Sequence, residues 1–129
     1  MKIKVSEAKD QALDWLVAKC EGCFSVNEQT LSYWESPEGA VHFIRTRNDE
    51  GHGVHWTHSS TDWSEGGPII EREWIALEFL AGAGDAGMDV WVASIGGIDE
   101  CGPTPLIAAM RCYVASKLGD EVEIPEELK

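Results

Sequence analysis

Positive charge is scarce in this sequence: Lys and Arg number 10 against 23 Asp and Glu, for a formal net charge of −13. That balance excludes a surface built for direct contact with nucleic-acid phosphates, which needs clustered Lys and Arg. It leaves two readings open: an acidic protein that imitates nucleic acid, or one whose charge serves solubility. Long apolar runs are missing too, and no stretch approaches the roughly 20 residues of a membrane span. The opening Met1-Lys2-Ile3-Lys4-Val5 lacks the apolar block of a signal peptide. A cytoplasmic protein without membrane association is the expectation. Its cysteines, Cys20, Cys23, Cys101 and Cys112, are then expected to be reduced. Internal repeats and low-complexity segments are absent.

The 129 residues fit a single domain over 1–129. A chain of this size buries roughly two-thirds of its unfolded surface, enough for a core without staples. Ile3 and Val5 alternate with Lys2 and Lys4 as in a short strand. Ser6 is placed to cap a helix over Glu7–Lys19, where Ala8, Ala12, Leu13, Leu16, Val17 and Cys20 follow helical spacing. Gly22 is placed to end it. Leu31–Trp34, Val41–Arg45 and Val54–Trp56 read as strands, with turns at Ser36–Gly39 and Asn48–Gly51.

Beyond them, Gly66-Gly67-Pro68 reads as a turn, with Pro68 opening a short helical turn. Trp74–Phe79 and Val90–Ser94 read as strands around a Gly/Ala-rich loop at Ala81–Gly87. The last helix has Thr104 as cap, Pro105 as first residue, Lys117 in its last turn and Gly119 just past it. Ile107, Met110, Val114 and Leu118 mark its apolar face, and Glu121–Pro125 reads as an edge strand. Consecutive strands between two helices predict an α+β fold: a small antiparallel sheet packed with an N-terminal and a C-terminal helix.

Catalytic and metal-binding patterns are weak. Cys20 and Cys23 have zinc-ligand spacing, but Cys101 and Cys112 are too far apart to complete a finger or ribbon. His52, His55 and His58 are evenly spaced, yet Gly51 and Gly53 oppose the helix that would cluster them. Asp62 and Glu65 read either as an acid/base pair or as a turn cap beside a solvated carboxylate. No nucleophile motif or phosphate loop is present. The expectation is a non-enzyme without cofactor or metal. Six Trp in this length are many. Trp15 and Trp74 are assigned to core or interface. Trp34, Trp56, Trp63 and Trp91 flank turns, either as binding surface or as core volume. This surplus predicts a homo-oligomer, most simply a dimer.

The densest chemistry lies in Ser60-Thr61-Asp62-Trp63-Ser64-Glu65-Gly66-Gly67-Pro68. If Gly67-Pro68 and Thr104-Pro105 both open helical turns, their free N–H groups converge on an anion. Trp63 then stacks on a ring, and Arg111 or Arg72 supplies charge. The candidate ligand site is therefore Ser60, Thr61, Asp62, Trp63, Gly66, Gly67 and Pro68, with Thr104 and Arg111. The plainer alternative is that both segments are ordinary helix starts.

Ala12–Gly22, Ser60–Glu73 and Gly102–Leu128 resemble the NinX-like proteins of phages and prophages, a domain family of unknown function. The resemblance implies a phage or prophage origin and action inside a bacterial host. It supplies no reaction, cofactor or catalytic residue. The expected function is a non-enzymatic accessory protein that binds a small, anionic, nucleotide-like ligand in the host cytoplasm. The alternative is an acidic protein-binding module, or nucleic-acid mimic, that blocks a host factor. A small enzyme is the third reading.

Overall fold

The C-terminal helix lies at the centre of the buried core. The computed structural model describes residues 1–21, 24–25, 33–35, 41–43, 55–56 and 59–124. In chain order the elements are β1 (Lys2–Lys4), α1 (Asp10–Cys20), β2 (Phe24–Ser25), β3 (Tyr33–Glu35), β4 (Val41–Phe43), β5 (His55–Trp56), α2 (Trp63–Glu73), β6 (Ala76–Leu80), β7 (Val90–Ile95), β8 (Ile98–Gly102), α3 (Pro105–Leu118) and β9 (Glu121–Glu123).

α3 begins as its sequence demands. Thr104 is extended, and its Oγ1 accepts the Ile107 N–H at 3.1 Å. Pro105 follows at the first position, where a missing N–H costs nothing. The helix is buried well beyond one stripe: Leu106, Ala108, Ala109, Met110, Cys112, Tyr113, Val114 and Ala115 are all inside. The sheet β6–β7–β8 covers one side, and α1 and α2 pack on others. Small side chains permit the close approach. A Cβ on Gly102 of β8 would lie 2.6 Å from the Ala108 nitrogen. Leu118, expected on the apolar face, is 38% exposed at the helix end.

The three-stranded sheet is an antiparallel meander, β6-β7-β8. β8 is absent from the sequence expectation. It is made by Gly96 and Gly97, at φ 52° and 92°, which join Ile95 to its cross-strand partner Ile98. Two successive positive φ values make a tight hairpin whose twist matches the strands.

α1 starts at Asp10, not Glu7, and Ser6 does not cap it. β1 pairs with β9 in the register Lys2↔Glu123, Ile3↔Val122, Lys4↔Glu121, and the Val5 N–H donates to Asp120 O at 2.8 Å. Held in that ladder, the chain turns through a 3-10 segment at Val5–Glu7 before the helix begins. Lys9 precedes α1 without a side-chain cap bond. Ala12, Leu13, Leu16 and Val17 are buried as their spacing predicts, and Asp14, Trp15 and Ala18 join them. Gly22 lies outside the described residues.

α2 differs most from expectation. Gly66, Gly67 and Pro68 lie inside it rather than in a turn. Asp62 starts the helix earlier: its Oδ1 accepts the Ser64 N–H at 2.9 Å and the Ser64 hydroxyl at 2.6 Å. The helix ends at Trp74, which sits left-handed at φ 55°, ψ 48°. There the Trp74 N–H donates to Glu71 O and the Ile75 N–H to Ile70 O, a Schellman closure in which Gly is usual. Trp74 is therefore not a core strand residue; it is 88% exposed.

β2, β3, β4 and β5 form a four-stranded sheet, antiparallel except for the parallel β4–β5 pair. The turns expected at 36–39 and 48–51 lie outside the described residues. Among the described residues no helix is long and apolar enough to cross a membrane.

Candidate functional site

The Ser60–Pro68 motif is first a packing device. Ser60 is buried, and its N–H donates to Asp14 Oδ1 of α1 at 2.9 Å. Gly66 is buried where a Cβ would collide with the Ser59 carbonyl and lie 2.5 Å from Leu106 Cδ2. The first turn of α2 thus stands against the start of α3, so the motif and the Thr104 end are brought together as expected. Thr61, Asp62, Pro68 and Thr104 are exposed, Gly67 is half-buried, and Trp63 is 54% exposed.

The converging anion cradle does not form. Gly67-Pro68 opens no helix, because Asp62 has already started one. Each true helix start carries its own cap: Asp62 takes the Ser64 N–H, and Thr104 takes that of Ile107. Each side-chain oxygen satisfies one of the N–H groups left free at its helix start. Arg72 is engaged elsewhere, with Glu21, Glu73 and Tyr113. Asp62 caps α2, and the same Oδ1 also accepts the Ser64 hydroxyl.

Arg111 leads to a different place. It lines a cavity of about 400 Å³ where the end of β8 meets Ser6 and the 85–90 segment. Met88, Val90 and Pro103 supply apolar wall, and Cys101 a thiol. Asp85, Asp89, Asp99 and Glu100 are also among its lining residues, and of these Glu100 acts on the Arg111 charge. The Arg111 Nε donates to Ala8 O at 2.8 Å and its Nη1 to Cys101 O at 3.0 Å. These carbonyls fix the side chain but leave its charge without an ion-pair partner among the described residues. Burial lowers the Arg111 pKa, opposed by the nearby Glu100 and Cys101. Burial raises that of Glu100, with Asp120 adding to the rise and Arg111 opposing it.

The buried thiols are poor nucleophiles. Burial pushes Cys20 up to about 12 and Cys112 to about 11. Cys112 also donates from Sγ to Ile98 O at 3.2 Å. Reactivity requires the thiolate, so neither is suited to covalent chemistry at neutral pH. Among the described residues no group of three or more His, Cys, Asp or Glu is arranged to hold a metal. Cys23, His52 and His58 lie outside those residues.

Asp85, Asp89, Asp99 and Glu100 carried no signal in the linear sequence, and Cys101 drew notice only as one of four thiols. The loop at 81–87 masks the first, and the rest depend on a hairpin that was not anticipated. Ile95-Gly96-Gly97-Ile98 was the available clue.

Residues 4–117 match the family model described as Bacteriophage P22, NinX, a span that includes both the motif and the Arg111 cavity. No curated protein matches the chain.

Proposed function

The chain belongs to the NinX family of bacteriophage proteins, and on that footing we propose that it is a non-enzymatic accessory protein that binds a small ligand in the host cytoplasm through an anionic group held by Arg111. One observation carries this reading. Arg111 presents a half-buried charge to a cavity of about 400 Å³, fixed by two carbonyls and without a carboxylate ion pair among the described residues. The volume falls in the range of small-molecule sites, roughly 300–1,000 Å³. A guanidinium has five N–H donors in a rigid fork, and two hydrogen bonds leave donors for a ligand.

In this reading Asp62, Gly66 and Ser60 build the fold, and Thr104 caps the helix that carries Arg111. Trp63 is 54% exposed but does not line the Arg111 cavity, and it has no part in this reading. The decisive experiment is native mass spectrometry of protein purified from infected host cells. A discrete small-molecule adduct is expected, and bare protein at all gentle conditions would count against ligand binding.

The second reading is an acidic protein-binding module, with self-association as one form of it. Trp74 at 88% and Phe79 at 48% exposure favour it, because large exposed rings are typical interface anchors. A light-scattering mass of one chain at micromolar concentration, with no host protein retained, would remove it.

A further inference from the structure

The Arg111 cavity joins a single cation to an aliphatic wall. The Arg111 Nε donates to Ala8 O at 2.8 Å and its Nη1 to Cys101 O at 3.0 Å. A guanidinium carries five N–H donors, so three remain, both of those on Nη2 among them, and no acceptor among the described residues takes them. The two carbonyls already hold the fork in place, which lowers the ordering cost of binding. Met88, Val90 and Pro103 form the wall. Met88 is 67% exposed, an apolar side chain that the fold leaves uncovered at the cavity. Among the described residues no aromatic ring lines the cavity, and Arg111 is its one cationic side chain. Glu100, also on the lining, acts on the Arg111 charge, and the chain as a whole carries −13.

We propose that the cavity binds a short aliphatic monocarboxylate, whose carboxylate meets the free N–H groups of Arg111 and whose chain lies along Met88, Val90 and Pro103. This rests on the ligand-binding reading above and narrows it. One carboxylate matches one guanidinium, and its planar shape is what the arginine fork is built to bind. A phosphate monoester carries about 1.5 to 2 negative charges at pH 7. The charge beyond the first meets no second cation here and shares the cavity with Glu100. A charge taken out of water without a partner is costly. A nucleobase finds no ring to stack on, whereas a flexible chain suits Met88, whose unbranched side chain adapts to irregular surfaces. Each methylene drawn from water onto that wall adds to affinity. The cavity, about 400 Å³, lies at the small end of the range for small-molecule sites, which favours a chain of few carbons over a long acyl chain.

The test is calorimetric titration of the full chain with butanoate, hexanoate, hexan-1-ol, hexyl phosphate and a capped tripeptide ending in leucine. Hexanoate is expected to bind about tenfold more tightly than butanoate, from the further methylenes it buries. It is expected to bind at least about tenfold more tightly than hexan-1-ol, which keeps the chain and lacks the charge. Over hexyl phosphate, which keeps the chain and adds charge, the expected preference is about threefold or more. Arg111→Gln should lose hexanoate binding at unchanged melting temperature, and hexan-1-ol makes the same comparison without altering the protein. Equal binding of hexanoate and butanoate, or of hexanoate and hexan-1-ol, overturns the proposal. Tighter binding of the tripeptide than of hexanoate also overturns it and assigns the cavity to a peptide C-terminus. If hexyl phosphate binds more tightly than hexanoate and its binding is lost in Arg111→Gln, the monocarboxylate is wrong and the Arg111 reading stands. The same holds if no probe binds yet protein from infected cells carries an adduct. If no probe binds and that protein is bare, both fall.

Discussion

Arg72 grips Glu21 with two parallel hydrogen bonds, Nη1 to Oε1 at 3.0 Å and Nη2 to Oε2 at 2.6 Å. The pair ties the last turn of α2 to the end of α1. Tyr113 of α3 donates its hydroxyl to the same carboxylate, and its ring centroid lies 5.8 Å from the guanidinium carbon. Arg72 also reaches Glu73 at 2.9 Å, and Lys117 lies 3.5 Å from Glu73. Three helix ends are thus joined at one charged knot on the partly exposed side of the core.

Arg72→Met is therefore expected to destabilise the fold at neutral pH, by about 1 kcal/mol, because the side chains are too exposed for more. The Arg72 hydrogen bond is the main reason the Glu73 carboxyl is held below its ordinary value. A depressed folded pKa adds stability above the unfolded value, about 4.3, and loses it as pH falls through the folded value. Urea melts at neutral and acid pH check this: the gap between variant and wild type should narrow below pH of about 4.

Gly66 and Gly67 are adjacent in α2 and should respond oppositely to alanine. Helix propensity alone favours Ala at both by roughly 0.5–1 kcal/mol. At Gly66 the new Cβ would collide with the Ser59 carbonyl and crowd Leu106 Cδ2 at 2.5 Å. Overpacking of that kind costs roughly 1–3 kcal/mol, so Gly66→Ala should be the less stable protein. At Gly67 the nearest atom is Trp63 Cε3 at 3.9 Å, and Gly67→Ala should gain stability. Thermal melts of the two variants decide it. A stabilised Gly66→Ala would mean that α2 does not seat against α3 as described.

Trp74 occupies a left-handed C-terminal position that costs a side chain roughly 1 kcal/mol relative to glycine. Its ring makes little use of the fold, being 88% exposed. Trp74→Gly should leave stability unchanged or raise it by up to about 1 kcal/mol. Sedimentation of both proteins reads the second consequence. If Trp74 anchors a partner copy, the variant loses the dimer.

Glu100 should make the fold less stable as pH rises. Burial is the largest cause of its raised pKa, so folding favours the protonated carboxyl. Stability then falls as pH climbs from the unfolded value through the higher folded one. Glu100→Gln removes the charge and should raise the melting temperature at pH of about 7, with the gain disappearing below about 4. A pH series of melting temperatures for the pair measures it.

The parts of the fold legible in the sequence were those where a residue carries its own backbone mechanism. Thr104, Pro105 and Gly119 delimit α3 because a cap, a fixed φ and a positive φ act locally. Ser6 misled because the β1–β9 ladder, a contact between chain ends, decides where α1 begins. Gly66-Gly67-Pro68 misled because its composition reads as a turn. The Asp62 cap, and the need for a side-chain-free surface against Leu106, instead place it in a helix. Arg111 was legible as a scarce cation. The carboxylates around it were not, since tertiary packing brings Asp85 and Asp89 to the end of β8.

The most direct test of the ligand site is an amide and arginine-side-chain NMR spectrum of the labelled protein, before and after addition of a protein-free host metabolite extract. The account predicts shifts confined to Asp89, Val90, Cys101 and the Arg111 Nε–H, with the Trp74 indole unmoved. An unchanged spectrum at saturating extract, or shifts confined to the first turn of α2, would contradict it.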